Sequence, residues 1–171
     1  MNTPVLYLMV GYPGAGKTTV AQTVHELTGA THIWTDQVWR DRYDKPSFSA
    51  DEKRELYDHL NAEVDTLLGE GKSVIYDTNF NYYKDRELMR TLAAKHNADT
   101  ILFWVQVPKE MAQDRATKNA HLQTTRVFGD IKPSVFEKLT DHLEPPRADE
   151  HPIQIDGTKV TSEYISQKLG L

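Results

Sequence analysis

The sequence predicts an α/β fold, a five-stranded and mostly parallel sheet with helices on both faces, and three observations predict it. Short apolar runs alternate with helix-period segments along the whole chain. The first run, VLYLMV from Val5 to Val10, is continuously apolar, as a strand buried on both faces of a parallel sheet must be. It leads directly into a glycine-rich turn and then a helical segment, GYPGAGKTTVAQTVHEL. At 171 residues the chain is long enough for one domain and needs no second.

The elements follow in order. Val20, Ala21, Val24 and Leu27 recur at helical spacing until Gly29, and THIW at 31–34 reads as the second strand. Ser49 with Glu52 forms a capping box for a long amphipathic helix whose Leu56, Leu60, Val64, Leu67 and Leu68 share one face, and Gly69 and Gly71 end it. SVIYD at 73–77 is the third strand, a helix runs from about Tyr83 to His96, and TILFWVQV at 100–107 is the fourth strand. Helices over 109–118 and 133–142, a strand IQI at 153–155 and a terminal helix complete the alternation. The segment 119–132 has weak apolar periodicity, a polar QTTR stretch and Gly129 before Pro133, and reads as a mobile flap or loop. EPPRADEHP at 144–152 is proline-rich and charged, and is expected to be a surface connection to the last strand.

Composition removes several function classes. Hydrophobic content of 39% with 26% charged residues is ordinary for a soluble globular protein. No apolar run approaches a membrane span and no basic leader precedes the first strand, so the expected location is the cytoplasm. The absence of cysteine excludes disulfides, thiolate zinc sites and cysteine nucleophiles, and the seven histidines lack any H-E-x-x-H setting. A net charge of −5 and a pI near 5.8 weigh against a large basic nucleic-acid surface, while leaving room for a local pocket around one phosphorylated end.

Residues 11–18, GYPGAGKT, match G-x-x-x-x-G-K-[ST], the loop that wraps the phosphates of a nucleoside triphosphate, and the strand before and helix after supply the required context. The expected nucleotide-binding residues are Gly11, Pro13, Gly14, Ala15, Gly16, Lys17, Thr18 and Thr19. Glycines let backbone N–H groups converge on phosphate oxygens, and the helix presents its positive end. Lys17 is expected on the β- and γ-phosphates and the Thr18 hydroxyl on Mg²⁺, making ATP and Mg²⁺ the expected cofactors. Thr19 either assists at the α-phosphate or caps the helix. Asp77 ends its strand where a carboxylate holds or orients the metal; the alternative is an Asx-turn. Asp36 occupies the corresponding place after THIW, either facing the site or capping a helix, and ligands of open α/β sheets bind beyond these strand ends.

Taken together, these residues resemble the P-loop kinases of the AAA-type ATP-binding group that includes the kinase domain of bacteriophage polynucleotide kinase, the zeta toxins and chloramphenicol phosphotransferase. The resemblance covers nearly the whole chain through GYPGAGKTT, the aspartate of WTDQVWR, VIYDTNFNYYKDR, VPKEMAQDR and the tail IKPSVFEKL…LEPP. It implies a single P-loop kinase domain over 1–171, with Asp36 as the general base that takes the proton of an acceptor hydroxyl. Relatives commonly carry an arginine three residues after the base. Here that position is Trp39 and the arginine is Arg40, so the acceptor side is expected to use Arg40 or a stacking Trp39, the alternatives being an Arg40 that points elsewhere and a tryptophan in the core. Asp77, Thr78 and Asn79 match the segment that borders acceptor and metal. Arg86 matches an arginine nine residues after that aspartate, or else pairs with an acid. Arg115 matches the first arginine of the helix entering the lid; the second is replaced by Asn119, leaving Lys118 or Arg126 to supply the charge, the alternative for each being a solvated surface cation. Tyr82 and Tyr83 either line the acceptor pocket or pack in the core.

The favoured reading is an ATP-dependent kinase that phosphorylates a hydroxyl of a small or nucleotide-like acceptor, with a 5′-hydroxyl nucleic-acid end as the less favoured acceptor. A second class is a nucleotide-hydrolysing switch, although no N-K-x-D segment and no extra helical domain for ring assembly is present. A third is an ATP sensor without turnover, which Asn119 in place of an arginine keeps open.

Overall fold

In the computed structural model, which describes residues 3–171, β1 (Val5–Val10) is the central strand of a five-stranded sheet. β2 (Thr31–Trp34), β3 (Val74–Asp77), β4 (Asp99–Gln106) and β5 (Ile153–Asp156) complete it in the order β2-β3-β1-β4-β5. Every pairing is parallel, so each connection must cross over, and helices supply the crossovers. The helices are α1 (Lys17–Thr28), α2 (Thr35–Arg42), α3 (Ala50–Gly69), α4 (Tyr83–Lys95), α5 (Lys109–Thr117), α6 (Pro133–Asp141) and α7 (Ser162–Leu169).

The continuous apolar run of β1 has a simple cause. Leu6, Leu8 and Val10 face Leu56, Leu60 and Val64 of α3 and Met89 and Ala93 of α4. Tyr7 and Met9 face Val20, Ala21 and Val24 of α1 and Ile165 of α7 on the opposite side. Both faces of the strand are therefore dry, and no polar alternation survives. Because all strands point the same way, the loops that leave β1, β2, β3 and β5 emerge along one edge, and this positions the site.

Three local features depart from the sequence expectation. α2 begins directly after β2 with Trp34 rather than Asp36 at its cap, and this short helix buries only Thr35 and Trp39. The capping box of α3 is half formed: Ser49 Oγ accepts from the Glu52 N–H at 3.2 Å, but the Glu52 carboxylate accepts from Ser47 and Phe48 N–H instead. That contact holds Phe48 at φ 53°, a left-handed conformation rare for a bulky residue. The 144–152 segment is not wholly a surface connection, since it includes a 3₁₀ turn, Ala148–Glu150, that buries Glu150.

The 119–132 segment is mostly irregular, with one 3₁₀ turn at Ala120–Leu122. Its two ends are tied together where Asp130 accepts from the Ala120 N–H at 2.8 Å. Phe128 meets Phe48 edge-on at 5.3 Å, and Phe48 in turn packs on Trp39 at 5.0 Å, so the segment rests against the loop that follows α2.

Candidate active site

The phosphate loop is shaped by contacts that only glycine tolerates. Gly14 has φ 81°, and a Cβ there would lie 2.3 Å from the Ala112 carbonyl of α5. Gly157, just past β5, is packed as closely, its added Cβ falling 2.3 Å from the Ala15 carbonyl. The loop is thus wedged between α5 and the β5–α7 turn. Gly16 caps α1 without a side-chain hydrogen bond, so the first amides of the helix stay available to an anion. Lys17 Nζ donates to the Gly11 and Tyr12 carbonyls at 2.9 and 3.0 Å. Burial lowers the Lys17 ammonium to about pKa 8; Asp77 and Asp36 oppose that shift, and Arg126 adds to it.

Asp36 lies in the first turn of α2, where Trp34 occupies the cap position and no side chain caps the helix. The N-cap alternative for Asp36 therefore does not hold. Its side chain touches solvent, yet the surrounding cleft removes enough water to push its carboxyl above the ordinary aspartate range. Asp77 raises it further, while Arg126 and Lys17 pull the other way. Asp77 is 4% exposed and accepts from His32 Nε2 at 3.2 Å, a partner on another strand rather than an Asx-turn with its own backbone. Asp77 and Arg126 act electrostatically on both Lys17 and Asp36, which also act on each other, so these four charges lie near one another beside the phosphate loop.

Other expected residues lie elsewhere. Trp39 is 4% exposed and packed against Tyr43 and Phe48, leaving no ring face for a substrate. Arg40 is exposed and is not among the charges that act on Asp36. Arg86 has no exposure at all: Nε and Nη2 donate to the two Glu150 oxygens at 2.7 and 3.0 Å, and Nη1 to the Phe80 carbonyl at 2.8 Å. Its expected place at the acceptor is therefore corrected to a place beneath the loop that carries Asn79, because every direction of the guanidinium fork is taken up inside the fold. Tyr82 bonds His142, and Tyr83 bonds Asp149 under the Arg147 guanidinium, so both tie the 142–149 segment to α4.

Around the cleft, Asn79 is exposed just after the buried Thr78, whose hydroxyl lies 3.0 Å from the Tyr57 hydroxyl. Arg115 reaches the Gly14 carbonyl at 3.4 Å, beside the phosphate loop. Arg126 bonds the Gly129 carbonyl, and its Nε is buried with no partner. Lys118 is paired with Asp114 on the surface, and Arg126 is the cation of the 119–132 segment whose charge acts on Lys17 and Asp36. His32 contacts Asp77, Tyr57 contacts Thr78 and Gly157 packs against Ala15 of the phosphate loop, although no motif announced them. Strand alternation alone places His32 on the same face as Trp34; nothing local marks the other two.

Among the described residues no group of three or more His, Cys, Asp or Glu gathers as a metal cage. Asp77 and Thr18 offer one carboxylate and one hydroxyl. So sparse a set fits Mg²⁺, which keeps water and substrate phosphates as most of its ligands. Among the described residues no helix is long and apolar enough to cross a membrane.

A family model described as an AAA domain matches residues 6–146. The chain belongs to this AAA family. Its P-loop kinase-like fold recurs in solved structures. Kti12 of Chaetomium thermophilum, in complex with ADP-AlF3, is 18% identical with a TM-score of 0.78, over 98% of this chain and 97% of that one. The Mycobacterium tuberculosis APS kinase CysC, in complex with AMPPNP and APS, is 16% identical with a TM-score of 0.67, over 99% and 98% of the two chains. A gluconokinase from Sinorhizobium meliloti is 16% identical with a TM-score of 0.66, over 98% and 90%. In sequence the chain is 32% identical over 127 residues to an uncharacterised protein of Mycobacterium tuberculosis, a match spanning 67% of this chain and 26% of that protein's length.

Proposed function

We propose that this AAA-family domain is an ATP-dependent kinase that moves the γ-phosphoryl group of ATP to a hydroxyl of a small acceptor. The observation that carries the reading is a phosphate loop whose Lys17 Nζ is held on the Gly11 and Tyr12 carbonyls, with the charges of Asp36, Asp77 and Arg126 close enough to act on it. A cation that contacts phosphate, a carboxylate without a helix-capping role and a lid cation are what phosphoryl transfer asks of a protein, which contributes mainly alignment and charge stabilisation.

Lys17 exchanges the Gly11 and Tyr12 carbonyls for the β- and γ-phosphates, and the α1 amides hold the same anion from the other side. Asp36 accepts the proton of the acceptor hydroxyl as that oxygen bonds to the γ-phosphorus, while the bond to the β-bridging oxygen breaks and ADP leaves. Arg126 and Arg115 stabilise charge on the transferring group. Mg²⁺, when bound, neutralises developing phosphate charge, and Thr18 and Asp77 are the residues that would hold it. Asn79, Thr78 and Tyr57 line the acceptor side.

A small acceptor is favoured over a nucleic-acid end by the net charge of −5 and by the burial of Arg86, which leaves that arginine unable to meet a backbone phosphate. The test is incubation with γ-labelled ATP and Mg²⁺ and a panel of nucleosides, sugars, aminoglycosides and 5′-hydroxyl oligonucleotides. Label on a small acceptor supports the reading. Label recovered only as free phosphate across the whole panel replaces it with hydrolysis.

A further inference from the structure

We propose that His32 is a positioning residue for Asp77, fixing one oxygen of the carboxylate so that the other stays directed at the phosphate-loop side of the cleft. The inference rests on the reading above, in which Asp77 belongs to the nucleotide and metal side of a kinase site.

The argument begins with the sheet. β2 and β3 are parallel, with His32 opposite Ile75 and Trp34 opposite Asp77. Ile33 and Tyr76 point into the core cluster of α3 and α4, whereas Ile75 points into the cluster of α1. Alternation therefore sets His32, Trp34 and Asp77 together on the α1 face, the face on which Lys17 and Thr18 begin their helix. His32 Nε2 lies 3.2 Å from Asp77 Oδ2, with side chains only 13% and 4% exposed. An ionised carboxylate can only accept, so Nε2 carries the hydrogen and donates it.

The imidazole is itself held, stacked on Trp34 with ring centroids 6.1 Å apart and planes within 8°. Among the described residues the Asp77 carboxylate makes no other hydrogen bond. Without His32 the carboxylate would be free to turn about its terminal torsion, a broad and soft rotation. With it, Oδ2 carries one hydrogen bond and Oδ1 carries none, which leaves Oδ1 the freer oxygen for a cation or for Lys17. Outer-shell partners of this kind typically change metal affinity or activity by about 10–100-fold when removed. The site needs the device because the protein offers so few metal donors: a single mis-set oxygen is a large part of the whole donor set.

The test compares His32→Phe, which keeps a ring on Trp34 but has no N–H, with His32→Gln, which keeps a donor at similar reach. Binding of Mn²⁺ to the protein–AMPPNP complex is followed by electron paramagnetic resonance, alongside unliganded thermal unfolding and the KM for ATP. The expected result is Mn²⁺ affinity lower by about 10–100-fold in His32→Phe, recovered to within about threefold in His32→Gln, with the KM for ATP rising in His32→Phe at limiting metal and the unfolding temperature nearly unchanged. Parental Mn²⁺ affinity in His32→Phe overturns the proposal, as does an equal loss in both variants accompanied by a lower unfolding temperature. If His32→Phe does not fold, His32→Leu is read by the same criteria. A parent protein that holds no Mn²⁺–AMPPNP refutes the kinase reading and this inference together. A parent that holds it, matched by His32→Phe, refutes the role of His32 alone.

Discussion

Arg86 and Glu150, 64 positions apart, form a two-pronged ion pair with both side chains fully removed from solvent. Burial by itself would raise the Glu150 carboxyl, but hydrogen bonds from Arg86, the Arg147 N–H and Arg90 outweigh it and hold the group at about pKa 2. Removing one partner strands the other charge in the core, so Glu150→Ala should lose about 3–5 kcal/mol in chemical denaturation. Because the folded pKa is depressed from 4.5, the stabilisation is complete above that pH and fades as pH falls toward 2. Its full extent is about 3 kcal/mol, and acid unfolding of Glu150→Gln should lack that component.

Lys17 provides the opposite case. Its folded pKa of about 8 lies below the ordinary 10.5, so the charged lysine costs stability in the unliganded protein below pH 8. That cost is relieved as pH rises from 8 toward 10.5. Lys17→Met should therefore unfold at a higher temperature than the parent at pH 7, despite losing two hydrogen bonds to carbonyls, and the gap should narrow above pH 8. The same variant should bind ATP more weakly by calorimetry.

Asp36→Asn should leave ATP affinity nearly intact and lower transfer by about 10²–10⁴-fold, the usual contribution of a positioned base. Burial first, and then Asp77, raise the Asp36 carboxyl, so the base is protonated and idle at low pH. The acid limb of the parent's pH–rate profile should fall above the ordinary aspartate range. Full transfer by Asp36→Asn would move the base elsewhere.

The lid should depend on two residues in different ways. Arg126→Ala removes the cation that acts on Lys17 and Asp36, and should lower transfer by up to about 10³-fold. Phe128→Ala removes only the edge-on contact with Phe48, a pair of a kind worth about 0.5–1.5 kcal/mol, so its loss of transfer should be about 2–10-fold. Limited proteolysis after Arg126 should be faster in Phe128→Ala than in the parent. Equal cleavage rates would show that the aromatic contact does not hold the segment.

The amino-acid sequence by itself determined the strand and helix alternation, the phosphate loop and the two strand-end aspartates. Each is a local signal: a hydrophobic period, a glycine that must sit at positive φ, a carboxylate at a fixed distance from an apolar run. Only the tertiary structure decided the partners. Whether Arg86 meets an acceptor or an acid depends on where Glu150, 64 residues away, is carried by a proline-rich connection, and no pattern around Arg86 records that. Trp39 went to the core because the strained Phe48 and Tyr43 close over it. His32 acquired its neighbour from the register of two parallel strands joined by a long crossover. Side-chain chemistry is written in the chain, but the low-dielectric contacts that assign its use arise between segments that only packing brings together.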